Sequence, residues 1–457
     1  MKSEYSWFGQ GIPAIKQRTI MSSDSQNGAY YKDSPVIQQP QNTGSKELSR
    51  QEKWIPVIYS CLLIAVGQTG MSLLLPALPE MHQDLQISTQ MTQWLVSAYL
   101  LGFGPSQLFY GPLSDIYGRR PVLLSGLMVA VVGILLSLFA SHSAALIIIG
   151  RVLQGVGAGC ASVIARVSLR DRYEGAHLRQ AMAYFGIVMA FVPTITPLAG
   201  GFLTTHFGWV SIFFTMAGYL GLLWVLLFYR FEETHVAEPA NDRAHAADFI
   251  HQYWQLLKSD HFRCYSGVVW IQYALNIFSI SVMPFIMQVQ VGISADVYGR
   301  WTLFPAIALV LGGVLASKTR HYFSKESVLQ AAAALQFVSG LSMLLLPHTA
   351  LLMMAGLALF SFGNGMAFPN ALSSLLEPYK RTAGTATALA GAGQMLTASF
   401  SSALLVGIGI TSISGLGMVL LLGSSVLLYL TRHASHTIPA CDDWHSHQHP
   451  AHNRVPL

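Results

Sequence analysis

Charge is what this sequence has least of. Asp, Glu, Lys and Arg make up 10% of its 457 residues, against about 25% in an average soluble domain. So few charges cannot cover the exterior of a soluble chain this long, whereas a lipid bilayer accepts an apolar exterior. Cysteine is scarce as well. Cys61, Cys160, Cys264 and Cys441 lie far apart, which excludes a disulfide framework and a CxxC metal pair. No HExxH or GxSxG pattern and no paired intramembrane carboxylates occur, which disfavours a membrane-embedded enzyme. The net charge of +5 is too modest to imply nucleic acid. The first residues lack the apolar core of a secretory signal.

What the sequence does have is apolar runs of about 20 residues broken by short polar turns, the pattern of membrane-spanning helices. Twelve are counted, at 55–78, 91–113, 121–140, 144–169, 181–205, 209–231, 262–289, 297–318, 327–347, 349–372, 382–408 and 412–431. The longest polar interior stretch separates the sixth run from the seventh. The expected organisation is a disordered cytoplasmic tail over 1–53, a six-helix bundle over 54–231 and a cytoplasmic linker over 232–261. A second six-helix bundle over 262–431 and a His-rich cytoplasmic tail over 432–457 complete it. Met21 is an alternative start. Lys and Arg concentrate on one side if the N-terminus is inside. Arg119, Arg120, Arg170, Lys318 and Lys380 all fall there, Arg300 falls outside and Arg151 falls within a span. The excess of cationic loops fixes both termini in the cytoplasm.

Two patterns carry chemistry. After the second run the chain reads Gly111-Pro-Leu-Ser-Asp115-Ile-Tyr-Gly118-Arg119-Arg120. Glycines there suit a tight turn, and Asp115 can pair with Arg119 or Arg120. Such a cluster can latch bundles together and release as they rock. The second pattern is Arg151-Val-Leu-Gln154-Gly155-Val-Gly157-Ala-Gly159 in the fourth run. An arginine in hydrocarbon costs at least about 2.5 kcal/mol, so Arg151 needs a watery cavity or a partner. It is read as a proton-coupling or anion-binding group, with a link to backbone carbonyls as the plainer alternative.

These stretches, with Pro193, Pro197 and Gly200-Gly201 in the fifth run and Glu377-Pro-Tyr-Lys380-Arg381 after the tenth, resemble the major facilitator superfamily and within it the Bcr/CflA drug-export group. The resemblance covers all the spans and excludes both tails. It implies an all-α membrane protein of twelve helices in two bundles, alternating access, and export of amphipathic drugs in exchange for protons. It further implies a monomer in the bacterial inner membrane that uses the proton gradient and no bound cofactor.

Polar residues recur near the middle of the spans. Gln68, Tyr99, Gln154, Gln272, Tyr273, Asn276, Asn364 and Gln394 are candidate substrate contacts, with Phe103, Trp270 and Phe278 as aromatic walls. Gln272 and Tyr273 precede Asn276 by one turn and are expected on its general face. Interhelical hydrogen bonding is the alternative for each amide. Every Asp and Glu lies outside the middle of a span. The coupling candidates are therefore Arg151, with Glu80 at the outer mouth and Glu377 inside. The fifth and eleventh runs, rich in small residues, are read as a flexing seam, with static packing as the alternative. The tail histidines, with Cys441, match no closed metal pattern. The rival functions are export of a natural metabolite such as a sugar, nucleoside or siderophore, and a transporter-like sensor.

Overall fold

A computed structural model describes residues 50–139, 143–234, 246–319, 322–379 and 382–437. The tail over 1–49, the Lys380-Arg381 pair, the centre of the linker and the chain beyond 437 lie outside these residues. So do the readings of Met21 and of Cys441 with the tail histidines. The described chain is helical, because a backbone in lipid must satisfy its own hydrogen bonds.

In chain order the first half holds α1 (Arg50–Ser72), a short turn of helix at Leu75–Ala77, α2 (Leu78–Asp84), α3 (Thr89–Tyr117), α4 (Arg119–Phe139), α5 (Ala144–Arg172), α6 (Gly175–Phe207) and α7 (Val210–Arg230). The linker helix α8 (Ala246–Lys258) follows. The second half holds α9 (Asp260–Phe285), α10 (Ala295–Trp301), α11 (Leu303–Thr319), α12 (Lys325–Leu345), α13 (Ala350–Leu376), α14 (Ala383–Gly407) and α15 (Ile413–Thr437). Each of the twelve expected spans is present. Eleven are long and apolar enough to cross a membrane by themselves. The exception is α3, whose Gln93, Ser97, Ser106 and Gln107 are buried inside the protein. The linker, expected only as a polar connection, contains α8.

Two cores result. One is built mainly on residues between Val57 and Phe231, the other on residues between Leu256 and Leu427. Outside them, Phe214, Leu222 and Phe304 are exposed, as lipid-facing side chains should be. Glycine sets the closest approaches within each bundle. A Cβ on Gly102 of α3 would stand 2.2 Å from the Val152 carbonyl, and one on Gly155 of α5 would stand 2.1 Å from the Tyr99 carbonyl. The second half repeats the arrangement. A Cβ on Gly312 of α11 would stand 2.1 Å from the Phe362 carbonyl, and one on Gly365 of α13 would stand 1.9 Å from the Leu309 carbonyl. The two pairs have the same separation along the chain, so the halves are structural repeats.

Candidate functional site

One end of the molecule carries Arg119, Arg170, Arg172 and Lys325 and is called here the basic end; the other is the far end. At the basic end α3 stops at Tyr117 and α4 starts at Arg119. A single residue, Gly118, makes the turn with φ +92°, a conformation that favours glycine. A Cβ there would also strike Glu233 Oε2 at 2.7 Å. Gly111, expected in the turn, instead sits within α3 with open space beside it. The helix simply continues through it.

Arg119 is the hub of this turn and is 4% exposed. Its Nε donates to Asp171 Oδ2 at 3.0 Å and its Nη1 to Ser114 Oγ at 2.6 Å. It also pairs with Asp115. The Glu233 carboxylate accepts from the backbone amides of Arg119 (2.8 Å) and Arg120 (3.1 Å). Arg120 donates to the Phe228 carbonyl at 2.6 Å rather than to Asp115. Of the two expected cations, only Arg119 pairs with Asp115. Asp171 and Glu233, not foreseen as partners, come from distant sequence. Their only advance signal was an acid on a cationic rim.

Deeper in the same bundle, Arg151 is fully buried. Nε donates to the Leu95 carbonyl at 3.0 Å, and Nη1 to the Gly70 carbonyl at 2.8 Å and to Gln154 Oε1 at 2.6 Å. The guanidinium lies 4.5 Å from the Tyr99 ring centre. Arg151 thus ties α5 to α1 and α3, and its Nη2 is buried without a hydrogen-bond partner. The carbonyl-link alternative describes its contacts, because two glycine-lined helices bring bare carbonyls within reach.

The eight polar candidates divide into two sets. Tyr99 donates to the Gly67 carbonyl at 2.8 Å, Gln154 reaches Met216 Sδ at 3.2 Å, and Gln272 donates to Asn364 Oδ1 at 3.0 Å. All four of these side chains are buried and bonded inside one bundle. Gln68, Tyr273, Asn276 and Gln394 are only half-buried. Tyr273 packs its hydroxyl against Met71 Sδ of the other bundle at 3.8 Å. Gln272, one turn before Asn276 on the same general face, is bonded within the second bundle, while its neighbour Tyr273 reaches the first. Phe103 and Phe278 are buried. Trp270 is half-buried and donates to the Ala390 carbonyl at 3.0 Å.

Gly67, beside Gln68, lies against Phe103, and Gly393, beside Gln394, lies against the Trp270 ring. Gln68 and Asn276 each stand equally far before a proline, Pro76 and Pro284.

The carboxylate candidates have other partners. Glu80 is half-buried at the far end, and its Oε1 accepts from the Trp209 amide at 3.3 Å, capping α7. Asp84 accepts from Trp209 Nε1 at 2.9 Å. Glu377 is exposed at the basic end and pairs with Lys325 at 2.7 Å.

The bundles meet closely at the far end. Gln93 donates to Ser402 Oγ (2.7 Å) and Ser281 Oγ (3.0 Å). Ser97 and Ser399 exchange bonds with each other's carbonyls at 3.1 and 2.8 Å. Gln288 donates to the Pro76 carbonyl at 2.9 Å, and the Asp296 amide to Thr205 Oγ1 at 3.1 Å. Gly201 and Gly299 bring α6 against α10, within 2.4 Å of the Ala295 carbonyl and 2.7 Å of the Pro197 carbonyl for an added Cβ. Toward the basic end α6 leaves its partners: between Ala183 and Thr196 only Phe185 is buried. The direct hydrogen bonds between the bundles gather at the far end, while at the basic end the linker helix α8 touches both, through Tyr253 on the Leu108 carbonyl and Gln252 on Thr385. The small residues of α6 form a tight seam at one end only.

The sequence pattern of the Major Facilitator Superfamily matches residues 60–402. The chain is 29% identical to Multidrug resistance protein D of Escherichia coli over 83% of this chain and 96% of that one. It is 28% identical to the Bicyclomycin resistance protein homolog of Haemophilus influenzae, over 70% and 81%. Among solved structures, the human organic anion transporter MFSD10 superposes with a TM-score of 0.61 at 17% identity, covering 84% of this chain and 99% of that one. The D-xylose-proton symporter gives 0.60 at 17% identity, with 81% and 96% covered. Twelve spans in two repeated bundles, matched over most of their length, make this chain a member of the Major Facilitator Superfamily, a multi-pass membrane protein.

Proposed function

We propose that this protein is a multidrug exporter of the bacterial inner membrane that exchanges drug for protons by alternating access. The observation that carries the reading is that the direct hydrogen bonds between the bundles gather at the far end, with half-buried Gln68, Asn276 and Gln394 away from that seal; a cleft opening toward the basic end follows from this reading. No side-chain hydrogen bond holds these three amides among the described residues, so they are available to a solute. The names of the related proteins support drugs as the solute class. Cationic residues at the open end support a cytoplasmic opening and cytoplasmic termini.

The seal is weak enough to reverse. Its six interhelical hydrogen bonds are worth about 0.6 kcal/mol each, or roughly 4 kcal/mol together. A ligand with that much preference for the opposite state inverts the equilibrium. Proton coupling rests on kinship, with Glu80 as the chain's own half-buried carboxylate and the proton gradient as the only energy source needed. The protein works as a monomer and requires no cofactor.

The test is reconstitution into liposomes with an imposed pH gradient and a panel of cationic dyes, neutral drugs and metabolites. Gradient-dependent flux of several unrelated drugs is expected. Export that persists after the gradient collapses removes the antiport, and flux of one metabolite alone replaces the drug reading.

A further inference from the structure

Two intramembrane arginines, Arg151 and Arg166, have no carboxylate partner among the described residues, and Arg166 lies where the bundles face each other. Arg166 lies near the basic end of α5, two turns before the helix stops at Arg172. A long cationic side chain in that position ordinarily snorkels to the rim. Arg166 does the reverse. Its Nε donates to the Ser162 carbonyl at 3.2 Å and its Nη2 to Ser162 Oγ at 3.1 Å, one turn deeper. Nη2 also donates to Gln107 Oε1 of α3 at 3.0 Å. The Gln107 amide is fixed for this role, since its Nε2 donates to the Phe103 carbonyl at 3.4 Å.

The place is on the cleft wall. Gln107 lies 3.8 Å from the point a Cβ on Gly391 of α14 would occupy, and one turn away Gly104 lies against Met395 and the Ala392 carbonyl. This is the line where the two bundles face each other. Arg166 itself is half-buried, and its Nη1 makes none of the side-chain bonds.

No carboxylate compensates it among the described residues. Asp115 and Asp171, the acids at the adjacent rim, are committed to Arg119. Arg170, one turn further along α5, is another cation. A half-buried cation with a second cation one turn away, and with an unused N–H pair, favours an anion of matching planar geometry.

Resting on the transport reading, we propose that the substrates are amphipathic organic anions, held by their carboxylate, sulfonate or phenolate group on Arg166. Gln107 positions the guanidinium. The apolar body of the substrate extends deeper, toward the half-buried Trp270 and Tyr273. A cationic drug of the same shape is disfavoured, since it would meet two arginines and no acid.

Three dansyl compounds share one body and differ in charge: dansyltaurine (anionic), dansylamide (neutral) and dansylcholine (cationic). Their flux is measured in proteoliposomes of the full chain, and their binding by quenching of tryptophan fluorescence in detergent. Dansyltaurine is expected to move fastest and bind tightest. Arg166→Gln should lower the anionic-to-neutral ratio at least about tenfold in both measurements, the loss expected for a charge-assisted hydrogen bond, and Arg166→Lys should restore part of it. Preference for dansylcholine in the wild type, or an unchanged ratio in Arg166→Gln, overturns the proposal. If no compound moves, the transport reading fails, while the binding ratio still judges Arg166.

Discussion

Arg151 and Gln336 show how differently a polar side chain behaves when buried in this membrane protein. Arg151 spends a planar fork of donors on two backbone carbonyls and an amide. A lysine offers a point charge and cannot span them. We expect Arg151→Lys to lower the thermal midpoint by several degrees and to abolish most transport while the protein still reaches the membrane; near-normal flux would show that the fork is dispensable. Gln336 of α12 is the opposite case. It is fully buried and neither side-chain amide atom has a partner. Burying such a group unpaired costs about 1–3 kcal/mol. Gln336→Met, similar in volume, is expected to raise the thermal midpoint measured by tryptophan fluorescence, and a fall would mean that the amide is satisfied in the bilayer.

At the scale of the elements, two glycines with the same chemistry have opposite expectations. Gly218 of α7 has open space beside it, whereas a Cβ on Gly365 would stand 1.9 Å from the Leu309 carbonyl. Gly218→Ala should stabilise by about 0.5–1 kcal/mol through helix propensity. Gly365→Ala must part α11 from α13 and should reduce yield and melting temperature, as read by size-exclusion fluorescence. The spans were legible in the sequence because hydropathy depends only on composition along the chain. The turn after α3 was half legible. Its glycines and charges marked the place, but a helix running to Tyr117 left Gly111 no turn to make. The partners of the α9 amides were not legible. Gln272 bonds Asn364 on α13, and no local signal announces a partner that distant.

For the whole molecule, alternating access requires the far-end seal to open. Ser97 and Ser399 exchange hydrogen bonds with each other's backbone, close enough for a disulfide after modest adjustment. In a background lacking the native cysteines, Ser97→Cys with Ser399→Cys should cross-link under oxidant, stop flux almost completely and recover it with reductant. Full flux in the oxidised, cross-linked protein would contradict rocking about this cleft. The architecture as two repeats was visible in the sequence. The conformation was not, because composition is the same whichever end is open.

The reluctance of α3 to qualify as a span has a consequence for biogenesis. A segment carrying Gln93, Ser106 and Gln107 partitions poorly from the insertion channel into lipid when it emerges alone. Its successor α4 has the highest mean hydropathy of the measured spans, 2.7, and only Gly118 separates them. The two are therefore expected to insert as a hairpin in which the oily second arm carries the first across. Lengthening that single-residue connection would leave α3 stranded during synthesis, however stable the finished protein.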